Sequence, residues 1–474
     1  MVHQDQGRRG AERTCADDLF QALRWITAKV KWSEIRFRKD ATWTARALVW
    51  AAVLWAWSDE KTLGDRFATA RKITRRGFPR QDEPAKSYQA FTKLLRRWTP
   101  TLLTLLFQAF RTRMQQSLAS VWTVAGWFVL AADGSCIGVP RTRGNEERYS
   151  PKSKLSRAAQ KLRRVRRQTR RRKKEHARQR KANVPNIWLT MLWHVGSGLP
   201  WDWRTGPSDS SERGHLVEML AGLPLRTLIT ADAGFVGYEL WKHVLDAGCH
   251  LLVRVGANVR LLKKLGYAEE RGGLVYLWPN RVVRKNLPPL ILRLIVVHNG
   301  SRPIYLVTSV RSKAKLSDAV AASIYRRRWG IELFYRHCKQ TFERGKLRSH
   351  SPDNAMIELH WSLLGMWALG LHSHHHLVDR GVMPERISFA NVLRAYRHSM
   401  REYRSPPDPS ENLTQLLNRS LIDEYVRKNK TSRDYPRKKQ EQGAGRPIIR
   451  LATAAQIKLA QQLKNATSEK RLTA

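Results

Sequence analysis

Between residues 120 and 255 apolar runs of strand length alternate with helix-spaced segments, and that alternation restricts the chain to an α/β fold. TVAGWFVLAADGS is apolar up to Asp133-Gly134. Asn186–His194 and Leu199–Trp203 read as a strand pair joined by Gly196-Ser197-Gly198. Asp209 to Glu212 then reads as a capping box opening a short helix to Leu220, which makes both acids structural. RTLITADAGF places a buried strand over Thr227–Ala231, ending at Asp232. A helix over Tyr238–Ala247 and a strand over His250–Val255 follow.

Each strand-end aspartate has two readings. Asp133 before Gly134, or Asp232 before Ala233-Gly234, is a solvated turn residue or a catalytic acid. A third acid sits in YRRRWGIELFYRHCK, residues 325–339. Tyr325, Arg328, Glu332 and Lys339 are spaced by three, four and seven. On a single helix they would share an arc of about 60° and span about 21 Å. An exposed helix with Glu332 paired to Arg328 or Arg336 has the same spacing. The alternative is a carboxylate holding a hard cation, with the flanking cations holding phosphate oxygens.

The order Y-x2-R-x3-E-x6-K, with Trp329 after Arg328 and with Ile331 and Phe334 following, resembles the YREK signature of the IS4-family DDE transposases. The resemblance covers roughly residues 120–370. It implies a ribonuclease H-like mixed sheet core with a β-rich insertion, preceded by an α-helical domain. It implies Asp133, Asp232 and Glu332 as catalytic, metal-holding acids, with Mg²⁺ as cofactor and Mn²⁺ as its substitute. Tyr325, Arg328 and Lys339, with the neighbouring Arg326 and Arg327, would contact DNA. The implied activity is cut-and-paste transposition: cleavage at transposon ends and transfer of the 3′-hydroxyls into target DNA. The implied partners are double-stranded DNA, both terminal inverted repeats and target, and a second copy of the chain in a DNA-bound synaptic complex. A metal-dependent nuclease without strand transfer and a DNA-binding relic without catalysis stay open beside it.

Composition agrees with a polyanionic partner. The 87 Lys and Arg against 39 Asp and Glu leave a formal charge of +48, which a compact monomer bears only with counter-ions or nucleic acid. No lipidation motif argues for a membrane surface, and the longest apolar runs are too short to cross a bilayer. The four cysteines have no zinc or disulfide spacing, and the first residues have no signal-peptide core. With the resemblance, the expected setting is prokaryotic cytoplasm, in association with the nucleoid.

Five segments are expected. Residues 1–118 form a helical, DNA-end-binding domain, with helices over Leu19–Val30, Ala45–Trp57, Ser58–Ile73 and Ser87–Trp98. Residues 119–255 form the first part of the catalytic core, interrupted by a basic insert at 141–182. Residues 256–302 form the β-rich insertion, where Trp278 stacks on an unpaired base or is buried. Residues 303–400 complete the core and its packing helices, among them Glu358–Leu371 on the sheet. Residues 401–474 are a basic linker and tail with a helix near Thr453–Asn465. His372 to His376 read as a solvated helix end, because consecutive histidines do not share a helical face.

Overall fold

A computed structural model describes residues 15–37, 41–78, 87–151, 184–270, 272–299, 302–401, 412–423 and 445–472. Residues 152–182 of the basic insert lie outside the described residues. In chain order the helices are α1 (Cys15–Thr27), α2 (Ala45–Trp57), α3 (Leu63–Gly77), α4 (Tyr88–Ser117), α5 (Arg143–Tyr149), α6 (Glu212–Glu218), α7 (Tyr238–Asp246), α8 (Asn280–Val283), α9 (Asp318–Arg327), α10 (Trp329–Arg336), α11 (Pro352–Val378), α12 (Phe389–Arg401), α13 (Leu413–Asn418) and α14 (Ala454–Leu472). The strands are β1 (Phe128–Gly138), β2 (Asn186–His194), β3 (Leu199–Gly206), β4 (Thr227–Ala231), β5 (His250–Val255), β6 (Arg260–Lys263), β7 (Leu274–Leu277), β8 (Leu290–Asn299), β9 (Arg302–Thr308) and β10 (Ile448–Leu451). Contacts group the chain into one unit of Met1–Ala119, Ile137–Asn186 and Arg336–Asp423, and a second of Ser120–Cys136, Ile187–Tyr335 and Glu424–Ala474.

The first unit is helical. Helix α2 is buried on every face, as its nearly unbroken apolar sequence requires. It packs on α11, where the Trp57 Nε1–H donates to the Gly365 carbonyl (2.8 Å). Helix α11, where Glu358–Leu371 was expected to pack on the sheet, packs among helices of this unit: α1, α2, α4, α12 and α13. Helix α3 starts five residues later than the sequence suggested. Thr62 caps it, accepting from the Asp65 N–H (3.1 Å) while its hydroxyl donates to the Asp65 carboxylate (2.6 Å). Ser58 instead closes α2, its N–H donating to the Leu54 carbonyl (3.0 Å). Helix α4 continues through Pro100 to Ser117, because Leu102, Leu105, Leu106, Ala109 and Phe110 keep a helical stripe on the core.

The histidines of α11 are not a solvated end. His374 is buried, and the His372 Nδ1 lies 2.6 Å from the Tyr396 hydroxyl. The His375 ring stacks on Trp25 (4.7 Å between centroids), and His376 Nε2 meets the Asn418 side-chain oxygen (2.7 Å). Residues 372, 375 and 376 recur at three and four, so they do share a face that α1, α12 and α13 cover.

The second unit is built on a ten-stranded sheet in the order β10-β6-β7-β8-β9-β5-β4-β1-β2-β3. Strands β2 and β3 pair antiparallel. The bonds from Val195 N–H to the Val129 carbonyl and from Val139 N–H to the Pro185 carbonyl make β1 and β2 antiparallel too. Strands β1, β4 and β5 run parallel. The five-strand order β3-β2-β1-β4-β5 is the ribonuclease H-like mixed core. The β-rich insertion is present, but it extends the same sheet: β9 pairs antiparallel with β5, and β8, β7 and β6 follow outward. Trp278 is buried there, its Nε1–H donating to the Leu287 carbonyl (2.8 Å). Strand β10, which the sequence did not reveal, pairs parallel with β6. Helix α14 extends well past the expected Asn465.

Candidate active site

Register brings the two aspartates together. Strands β1 and β4 pair from Phe128 with Thr227 to Ala132 with Ala231, so Asp133 and Asp232 are the next residues on adjacent parallel strands. Neighbouring strands lie about 4.8 Å apart, and equivalent positions face the same side. Strand β1 does not end at Asp133, as the sequence suggested, but runs on to Gly138; what ends there is its ladder with β4. Each carboxylate is oriented by a backbone amide just after it. Asp133 Oδ1 accepts from the Gly134 N–H (2.9 Å) and Asp232 Oδ1 from the Gly234 N–H (2.8 Å).

Helix α10 brings the third acid. Its Ile331, Phe334 and Tyr335 are buried, and the Tyr335 hydroxyl donates to the Asp133 carbonyl (2.8 Å). Gly330 permits this seating: a Cβ there would lie 2.0 Å from the Trp193 ring of β2. Gly330→Ala should therefore lift α10 from the sheet and cost about 1–3 kcal/mol, read as a lower thermal midpoint.

The acids sense one another. Burial pushes the Asp133 carboxyl up to about 7, against the Gly134 amide and the Arg328 guanidinium, with the charges of Asp232 and Glu332 adding to the rise. Arg328 is itself buried (8% exposed), lies over the Tyr325 ring (5.4 Å) and donates from Nη2 to Glu332 Oε1 (2.7 Å). Burial alone would lower its pKa; Tyr325, then Glu332 and Asp133, outweigh that and raise it. Burial also raises Tyr325, whose hydroxyl feels Arg328, Arg254 of β5 and Asp232.

Arg326, exposed on α9, faces a hollow over β8 and β9 that Val297, His298 and Tyr325 also line. Arg327 lies within electrostatic reach of His194. The stretch is not one helix. The ladder breaks at Arg328, and α10 ends in a π-helical turn, His337–Thr341, that carries Lys339. Lys339 belongs to the first unit, while Tyr325, Arg328 and Glu332 belong to the second.

The family model described as the transposase DDE domain matches residues 129–367, half of the chain, and takes in β1, β4 and α10. The chain belongs to this family. The chain is also 28% identical over 197 residues to the transposase InsG for insertion sequence element IS4 of Escherichia coli K12, which agrees with the IS4 resemblance. That match takes in 39% of this chain and 44% of the relative's length. Among solved structures, the piggyBac transposase synaptic complex with hairpin DNA matches at 13% identity and a TM-score of 0.39, over 89% of this chain and 88% of that one.

The donor chemistry of the DDE domain fits a hard divalent cation. Asp133 is crowded by two like charges, a cost that a cation relieves, and the available ligands are carboxylate oxygens. Among the described residues no three His, Cys, Asp or Glu side chains are grouped closely enough to hold a metal as they stand. The Glu332 carboxylate is paired with Arg328.

Sequence reasoning missed Glu212 and Arg254. Glu212 read as half of a capping box, yet the cap of α6 is Ser211, whose hydroxyl accepts from the Gly214 N–H (3.2 Å). The Glu212 carboxylate lies instead where a Cβ on Gly134 would be (2.8 Å), and burial followed by the Asp232 charge raises its pKa. Arg213 fixes this end of α6, its Nε–H donating to the Gly234 carbonyl (2.9 Å). Only the Gly after Asp133 hinted at a close neighbour.

Proposed function

We propose that this DDE domain cuts DNA at the ends of a mobile element and joins the freed 3′-hydroxyls to target DNA, with Asp133, Asp232 and Glu332 as its acids. The observation that carries the reading is the β1–β4 register, which sets two aspartates side by side beneath a helix bearing the glutamate. Asp133, Asp232 and Glu332 would hold Mg²⁺ or Mn²⁺ through hard carboxylate oxygens, and Arg328, now paired with Glu332, is the cation nearest to hand for a phosphate. When bound, the cation activates the attacking oxygen and stabilises the leaving one. Tyr325 and Arg328 grip the phosphate; Lys339, Arg326 and Arg327 are assigned to the DNA further along.

In cleavage, a water oxygen bonds to phosphorus and the 3′ oxygen departs, taking a proton to become the 3′-hydroxyl. In transfer, that hydroxyl oxygen bonds to a target phosphorus and displaces the target's own 3′ oxygen. The DNA-bound form is a pair of chains, one for each terminal repeat. The substrate is chromosomal or element DNA of a prokaryotic cell; among the described residues no helix is long and apolar enough to cross a membrane.

The test offers pre-cut ends and a supercoiled target to the purified chain, with and without EDTA. Joined product that disappears with EDTA and returns with Mn²⁺ is expected. Hydrolysis without joining would leave a nuclease, and intact DNA under every metal condition would leave a binding relic.

A further inference from the structure

The acids follow the paired segments of β1 and β4; a second polar feature precedes them. Trp127 and Arg226 come immediately before these strands, His250 opens β5, and residues 309–315 follow β9, which runs antiparallel to β5. Together they line a depression of about 1190 Å³ at the opposite edge of the sheet. Five paired residues separate the edges, roughly 17 Å of strand, so one phosphate cannot occupy both.

The cations there are held in place. Arg293 is buried and spends its guanidinium on Asp318 (2.6 Å) and on the Val310 and Leu316 carbonyls, which pins the 310–318 segment. The Trp127 Nε1–H donates to the Lys315 carbonyl (3.0 Å), and Arg226 lies over the Trp127 ring (5.4 Å). Arg226 also takes φ +60, a left-handed conformation uncommon away from glycine. Glu269 is the one carboxylate among the residues that line the depression; among the described residues no carboxylate is within ion-pair distance of Arg226, Arg311 or Lys315, and Asp318 is already shared by Arg293 and Lys313. Leu225, next to Arg226, is 93% exposed. An apolar side chain standing beside cations suits the grooved surface of a duplex better than a small anion.

We infer that this depression is a second DNA site, which holds the phosphate backbone of a duplex segment other than the one at the acids. The inference rests on the reading of the chain as a DNA-cutting enzyme, and its ligand is either the distal part of the end duplex or the target duplex. Cations on a pinned frame contribute affinity without reading sequence.

The experiment compares the full chain with the triple variant Arg226→Gln, Arg311→Gln, Lys315→Gln. A control triple removes exposed cations elsewhere on the same unit: Lys263→Gln, Arg284→Gln, Lys285→Gln. Binding to mixed-sequence duplex is followed by fluorescence anisotropy across salt concentrations, with circular dichroism to confirm folding. The groove triple should make the dependence of log K on log salt shallower by about 2.7, the loss of three phosphate contacts, and the control by less than one. A loss seen with long end duplexes but not short ones identifies the distal segment. A loss seen only in capture of a second duplex by end-loaded protein identifies the target. An unchanged slope, or an equal fall in the control, overturns the inference. Nicking by the same preparations is scored separately: an altered slope in a chain that never nicks keeps the groove and sinks the enzymatic reading.

Discussion

Asp232→Asn should slow DNA strand cleavage by about a thousandfold or more while duplex affinity changes by less than about threefold. The substitution keeps the shape and the Oδ1 that accepts from the Gly234 N–H, so β4 and the turn after it should stay in place. What it removes is one negative charge beside Asp133 and Glu332. An amide oxygen holds a hard cation far less well than a carboxylate, and several kcal/mol of transition-state stabilisation corresponds to three or more decades in rate. Duplex binding depends on cations spread over a chain of net charge +48, so it should survive. Single-turnover cleavage of labelled DNA beside anisotropy with the same duplex makes the comparison. A variant that cleaves within tenfold of the wild type would remove Asp232 from the reaction.

Asp133→Asn should also abolish cleavage, yet it should make the metal-free protein more stable at pH 8. The fold raises the Asp133 pKa from an ordinary 3.8 to about 7. A carboxyl raised in this way is accommodated below its unfolded pKa, and its contribution is lost as pH climbs through 7, where the folded chain must carry the charge. Three units correspond to an upper bound of about 4 kcal/mol, less what water and relaxation recover. Asparagine never ionises, so the two proteins should unfold alike near pH 4 and diverge in the variant's favour above 7. Denaturant unfolding in EDTA at the two pH values measures this. Added Mg²⁺ should close the gap by stabilising only the wild type. Equal stability at pH 8 without metal would mean that the carboxyl is better solvated than its burial implies.

The sequence displays strands more readily than it displays what they pair with. Thr227–Ala231 and Asn186–His194 are found where apolar runs between Gly and Asp placed them, since burial on both faces leaves an unmistakable pattern. The continuation of β1 through Gly134, Ser135 and Cys136 was illegible, because small and polar residues there carry no alternation. Strand β10 was hidden for the related reason that a four-residue edge strand in a polar segment is specified by β6 and not by itself. In the site, Asp232 and Glu332 stood out through their neighbours in sequence. Glu212 did not, because a plausible local cap explained it and only tertiary packing against Gly134 shows otherwise. The π turn at Lys339 likewise leaves no mark on a count of residues.

The pairing of β1 with β4 also fixes when, during synthesis, the three acids can first meet. Asp133 leaves the ribosome roughly a hundred residues before Asp232, and Glu332 follows roughly a hundred later. At ~5–20 residues per second each gap lasts about 5–20 s. A nascent polypeptide therefore holds an incomplete set of acids until α10 has been made, and a prematurely terminated product that stops before α10 lacks Glu332.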